Sequence, residues 1–141
     1  MAAKHECELF MRDLLPFARR MLREDGGFHP FGGTMSRVGS IRHVGVGTDR
    51  EYPEGAAARS IMLRSFQAEA VELRATAIVC DVHVAPPGET QPRDGIQVEV
   101  DHRDGYSARV FFPYSLSTSG ELSTEASFAT QGDGVIFRGL Q

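Results

Sequence analysis

Apolar residues recur along the first part of the chain at Cys7, Phe10, Met11, Leu14, Phe17, Ala18, Met21 and Leu22. This i, i+3, i+4, i+7 spacing gives a helix one apolar face. Pro16 interrupts it with a residue that lacks an N–H and crowds the preceding turn, which predicts a kink or a fresh start near Asp13. Gly26 and Gly27 should stop the helix, because glycine enters the left-handed C-cap conformation without a Cβ clash.

After the F-H-P-F-G-G segment (Phe28 to Gly33), two short strand-like runs surround Gly39 and Ser40. A two-residue Gly-Ser loop would set Val38 opposite Ile41 and Met35 opposite Val44. A second helix is expected from Pro53, with Glu54 near its positive end and a buried stripe through Ala58, Ile61, Met62, Ser65, Phe66 and Glu69 or Ala70. Leu73 to Val84 is rich in Val, Ile and Ala on both parities, as in a central strand.

The next hairpin, Ile96 to His102 and Tyr106 to Tyr114, is the most constrained. A two-residue Asp-Gly loop would scatter its apolar residues over both faces. A three-residue loop from Arg103 to Gly105 instead pairs Val100 with Ala108, Val98 with Val110 and Ile96 with Phe112. It also sets Glu99 beside Arg109 and Gly105 at the left-handed bulge position. Beyond Pro113, alternation at Leu122, Thr124, Ala126 and Phe128, then Val135 to Phe137, predicts a closing hairpin through Gln131 to Gly134. The whole is one α+β domain spanning 1–141. Two helices pack on a mainly antiparallel sheet in the order α-β-β-α-β-β-β, followed by a C-terminal hairpin.

Composition narrows the function classes. With a net charge of −4 and scattered basic residues, the chain lacks the concentrated positive face of a nucleic-acid binder. Arg19, Arg20 and Arg23 instead suit the negative end of the first helix. The charged N-terminal residues do not form a secretory signal, and no apolar run reaches the length of a membrane span, so a cytoplasmic location is expected. Cys7 and Cys80, set apart in apolar patterns, read as two reduced core thiols.

The chain resembles a group of small bacterial proteins without an established function. The resemblance rests on the N-terminal amphipathic helix, the F-x-P-F-G turn at Phe28 to Gly32 and a strand ending in Asp81 and Val82. It extends to the hairpin E-V-D-H-R-D-G at Glu99 to Gly105, where the group has E-H-x-x-G, and to Pro113 and Tyr114. These motifs are structural, so the resemblance transfers no catalytic residue, and the sequence assigns no cofactor.

Chemistry is sparse. The chain contains no phosphate-loop, zinc-protease, paired-cysteine or nucleophile-elbow motif. The G-V-G at Gly45 to Gly47 reads as turn chemistry, since a dinucleotide fingerprint needs a third glycine. Asp81 and His83 share a strand face but lack a further ligand, so no metal and no catalytic residue is assigned.

Three functions follow, in this order. The first is a non-catalytic domain that binds another protein or a second copy of itself. It supposes that Ile78, Cys80, Val82 and Val84 face the helices with Val98 and Val100. Asp81, Glu99 and Arg109 would then form a charged row across the opposite face, with His83, Gln97 and Phe111 beside it, and this half-apolar face would be covered by a partner or by the chain itself. The second is a small-ligand domain with a cleft near Phe28 to Gly33, using His29 and Phe31. A hydrolytic or metal-dependent enzyme comes third.

Overall fold

Helix α1 spans Ala2–Asp25 without a break, and Pro16 lies within it on the exposed side. The sequence left open a fresh start near Asp13; the helix is continuous there. Its buried stripe includes Cys7, Phe10, Leu14, Ala18 and Leu22, and Gly26 caps it at φ +77°, donating its N–H to the Leu22 carbonyl at 3.0 Å. The computed structural model describes residues 2–45 and 55–139. The expected helix start at Pro53 and Glu54 and most of the G-V-G segment lie outside the described residues.

Strands β1 (Phe31–Ser36) and β2 (Ile41–Gly45) form the first hairpin, and α2 (Gly55–Glu69) leads through a 3-10 turn into β3 (Leu73–Val84). Strands β4 (Arg93–His102) and β5 (Ser107–Leu116) follow, and then β6 (Leu122–Thr124) and β7 (Phe128–Gln131). The described residues form a mixed α+β fold with a seven-stranded antiparallel sheet in the order β2-β1-β3-β4-β5-β6, in which β7 also pairs with β5.

The β4–β5 register follows the parity argument: Val98 faces Val110, Val100 faces Ala108 and Glu99 faces Arg109. His102 N–H donates to the Tyr106 carbonyl and Gly105 N–H to the His102 carbonyl, with Gly105 at φ +98°. Replacing Gly105 with Val should therefore cost about 1 kcal/mol or more, because a β-branched residue is strained at positive φ. Urea denaturation would read this as a lower midpoint with an unchanged slope.

The first hairpin differs from expectation. Met35 pairs with Ile41, and the loop is Arg37-Val38-Gly39, closed between Ser36 and Ser40. Val38, expected in the ladder, is 86% exposed at the turn, and Gly39 takes the positive φ. The Ser117–Glu121 turn repeats the same hydrogen bonds with Gly120. In each of the three turns the glycine is the third loop residue, where a left-handed conformation lets the strands keep their twist.

The two helices lie on opposite faces of the sheet. Ala75, Ala77 and Val79 join Ile96, Val98 and Val100 beneath α1, whereas Ile78 and Cys80 pack with Met62 and Phe66 of α2. The adjacent glycines of β1 meet both layers. A Cβ at Gly33 would fall 2.9 Å from Leu14 of α1, and one at Gly32 would fall 2.3 Å from the Ala77 carbonyl and 3.3 Å from Met62 of α2. The α2 stripe is narrower than expected: Ala58, Met62 and Phe66 are buried, but Ile61 and Ser65 are exposed.

The C-terminal strands also differ in their pairing. β6 and β7 run along the same edge of β5, and Glu125 to Ser127 stand opposite only Phe112 and Pro113. Pro113 accepts from Glu125 N–H on that edge but has no N–H of its own to return, so the ladder breaks there. Val135 to Phe137 form no strand; Ile136 and Phe137 instead extend the apolar cluster beneath α2. The run V-I-F lacks the alternation of a half-exposed strand, and Ile78 offers an apolar surface for it to cover.

Candidate functional site

The six residues expected on one interaction face do not share it. Asp81 pairs with Ile96 and Ile78 with Glu99, so β3 is offset by one residue from the expected parity. Asp81 lies on the α1 face, where its carboxylate accepts from Tyr114 Oη at 2.6 Å. His83 is bound to Asp94 across the ladder at 2.8 Å. Gln97, Glu99, Arg109 and Phe111 lie on the α2 face. Phe111 is buried there because its ring covers Gly95, where a Cβ would fall 2.3 Å from the ring.

Glu99 does meet Arg109, at 3.3 Å, but its closer partner is Arg59 of α2, which donates Nε and Nη2 to the two carboxylate oxygens at 2.6 and 2.7 Å. Asp133 approaches Arg109 at 3.4 Å. Burial pushes Glu99 up, but the hydrogen bonds and charges of Arg59 and Arg109 outweigh it and hold the carboxyl below its ordinary value. This alternating row of charges is balanced within itself and binds α2 to the sheet.

The Asp81–Tyr114 pair supports a different feature. Burial raises Asp81 while the Tyr114 hydroxyl and the Phe28 backbone N–H lower it, with a net rise; burial also raises Tyr114. The pair thereby anchors the chain just after α1, and Gly27 permits the approach, since a Cβ there would fall 3.1 Å from Asp81 Oδ2. The F-H-P-F segment beyond it borders an apolar groove of about 280 Å³. Phe17 and Met21 of α1, with Phe28, Phe31 and Val44, line it, and His29 and His43 add imidazoles. Phe31 stacks edge-on against both Phe17 and Phe28, with ring centroids 4.9 and 5.6 Å apart. Asp13 holds His43 Nε2 at 2.9 Å, which leaves Nδ1 for another partner.

No family model, curated protein or solved structure matches the chain. The groove's chemistry is therefore read from its own residues. Among the described residues no group of three or more His, Cys, Asp or Glu side chains could hold a metal ion, and no helix is long and apolar enough to cross a membrane. Both cysteines are free thiols. Burial pushes Cys7 up to about 12 and the half-buried Cys80 up to about 11, which suppresses their thiolates.

His29 and Phe31, named from the sequence as ligand-binding candidates, do line the same groove. Sequence reasoning missed Asp13, Phe17, Met21 and His43 as its neighbours. Phe17 and Met21 stood in the α1 stripe and read as core, and only the packing of β1 and β2 beside α1 shows that they line an opening. Arg59 was missed as the partner of Glu99; its position beside Ala58 at the edge of the α2 stripe was the available signal.

Proposed function

We propose that the protein is a small-ligand binding domain whose site is the groove beside F-H-P-F, and that it takes a compact apolar or aromatic molecule bearing one hydrogen-bonding group. The observation that carries this reading is the apolar lining of the 280 Å³ groove, with three phenylalanine rings beside two imidazoles. Binding sites of this kind combine apolar walls with a few polar groups that orient the ligand. His43, held by Asp13, supplies such an orienting group. Among the described residues that line the groove none is a serine, threonine or cysteine, so binding is favoured over hydrolysis.

The fluorescent probe 1-anilinonaphthalene-8-sulfonate tests the proposal. The native protein should bind it saturably, and Met21→Trp, which fills the groove from α1, should weaken binding tenfold or more while leaving the thermal midpoint within a few degrees. Equal binding by the variant would place the probe elsewhere and remove the proposal. The alternative, a protein-binding or self-association face, draws on Gln97, Arg109 and Phe111, which line a smaller hollow of about 190 Å³ with Val84 and Pro86. A dimer in light scattering that Val84→Asp dissociates would favour that reading instead.

A further inference from the structure

Three arginines meet at the end of the sheet where β3 begins. Arg37 and Arg103 occupy equivalent places, each opening a three-residue hairpin loop, and the sheet order sets these two loops on either side of the start of β3. Their side chains converge: Arg37 Nη1 and Arg103 Nη2 both donate to the Val71 carbonyl oxygen, at 3.1 and 2.9 Å. Arg74, the second residue of β3, donates to the Arg37 carbonyl and, at 3.2 Å, to Glu6 of α1.

The charges at this end do not cancel. Glu6 is fully engaged, since Oε1 accepts from His102 Nε2 at 2.7 Å and Oε2 accepts from Arg74. The Asp104 side chain is 70% exposed and, among the described residues, forms an ion-pair contact only with His102 Nδ1, at 3.9 Å, an atom that already accepts the Asp104 backbone N–H. Among the described residues no carboxylate pairs with Arg37 or Arg103. Two like charges are therefore held across a single carbonyl oxygen, with no carboxylate of the described residues paired to either. Arg103 is also incompletely satisfied, because its Nε is buried without an acceptor while the guanidinium lies over the Phe137 ring.

Around these groups is a polar hollow of about 310 Å³, lined by the three arginines with Glu6, His102 and Asp104. We propose that it binds a phosphate-class oxyanion carried by a small soluble molecule, clamped between Arg37 and Arg103 and positioned by Arg74. The planar guanidinium fork suits paired oxygens, and the ligand supplies the negative charge that the protein withholds. The hollow and the apolar groove lie at opposite ends of β1, so the two proposals stand or fall separately.

Nuclear magnetic resonance titration of the full chain with inorganic phosphate and with pyrophosphate, at constant ionic strength against sodium chloride, tests the site. Saturable shifts are expected at the Arg37 and Arg103 Nε–H signals and at the Gly39 and Gly105 amides. Arg37→Gln, at an exposed position, should weaken pyrophosphate binding tenfold or more, and Arg103→Gln should abolish it. Met21→Trp should leave it unchanged. Unsaturable shifts, equal shifts with chloride, or wild-type affinity in Arg37→Gln would overturn the proposal. If Arg103→Gln fails to fold, Arg37→Gln alone decides.

Discussion

Replacing Phe66 with alanine is expected to destabilise the protein by about 3–5 kcal/mol, as large-to-small changes at fully buried aromatic positions do. Phe66 is wholly buried, at the centre of the cluster that joins Met62 and Ala70 to Ile78, Ile136 and Phe137. Its removal opens a cavity that α2 cannot close by moving, because Arg59 is tied to Glu99 on β4. Urea denaturation should show the midpoint falling with little change in slope. A loss below about 1 kcal/mol would mean that α2 and the C-terminal segment contribute little to covering this face.

The second large effect is expected at Arg59, and it should depend on pH. Glu99 is mostly buried, so Arg59→Gln leaves a carboxylate with only the longer contact to Arg109. Breaking a buried pair costs roughly 3–5 kcal/mol. Arg59 is about one-third exposed, so solvent screening reduces this to roughly 2 kcal/mol at neutral pH. The folded-state pKa of Glu99 is held below its ordinary value, so the pair's contribution is fully present above the ordinary carboxylate range. It is lost as pH falls through the folded value. The difference between the wild type and Arg59→Gln should therefore shrink as pH is lowered from 7 towards 3, and a difference independent of pH would show that the ion pair is not its source.

Glu99 also shows how far the sequence could be read. Its pairing with Arg109 followed from one hairpin, in which a three-residue loop and the alternation of Val98, Val100, Ala108 and Val110 permit a single register. Its stronger partner, Arg59, is 40 residues away, and no local rule links a helix position to a strand position at that distance. The groove shows the same division. His29 and Phe31 were legible because they stand in a turn-rich segment, whereas His43 and Met21 join them only when β2 and α1 are brought side by side.

Elements that depend on neighbours along the chain were legible in the residues alone. Among these are the apolar face of α1 and its glycine stop, β3 as a central strand, and the loop, register and cross-strand charge pair of the β4–β5 hairpin. Such features follow from backbone geometry and side-chain period within a few residues. Which parity of β3 joins Val98 and Val100 emerges from the packed fold alone, because the proline-containing connection before β4 imposes no register and a shift of one residue turns every side chain to the other face. That one-residue choice placed Asp81 with Tyr114 and Glu99 with Arg59. The helices could then cover opposite faces because Gly32 and Gly33, which carry no side chains, let both layers approach β1.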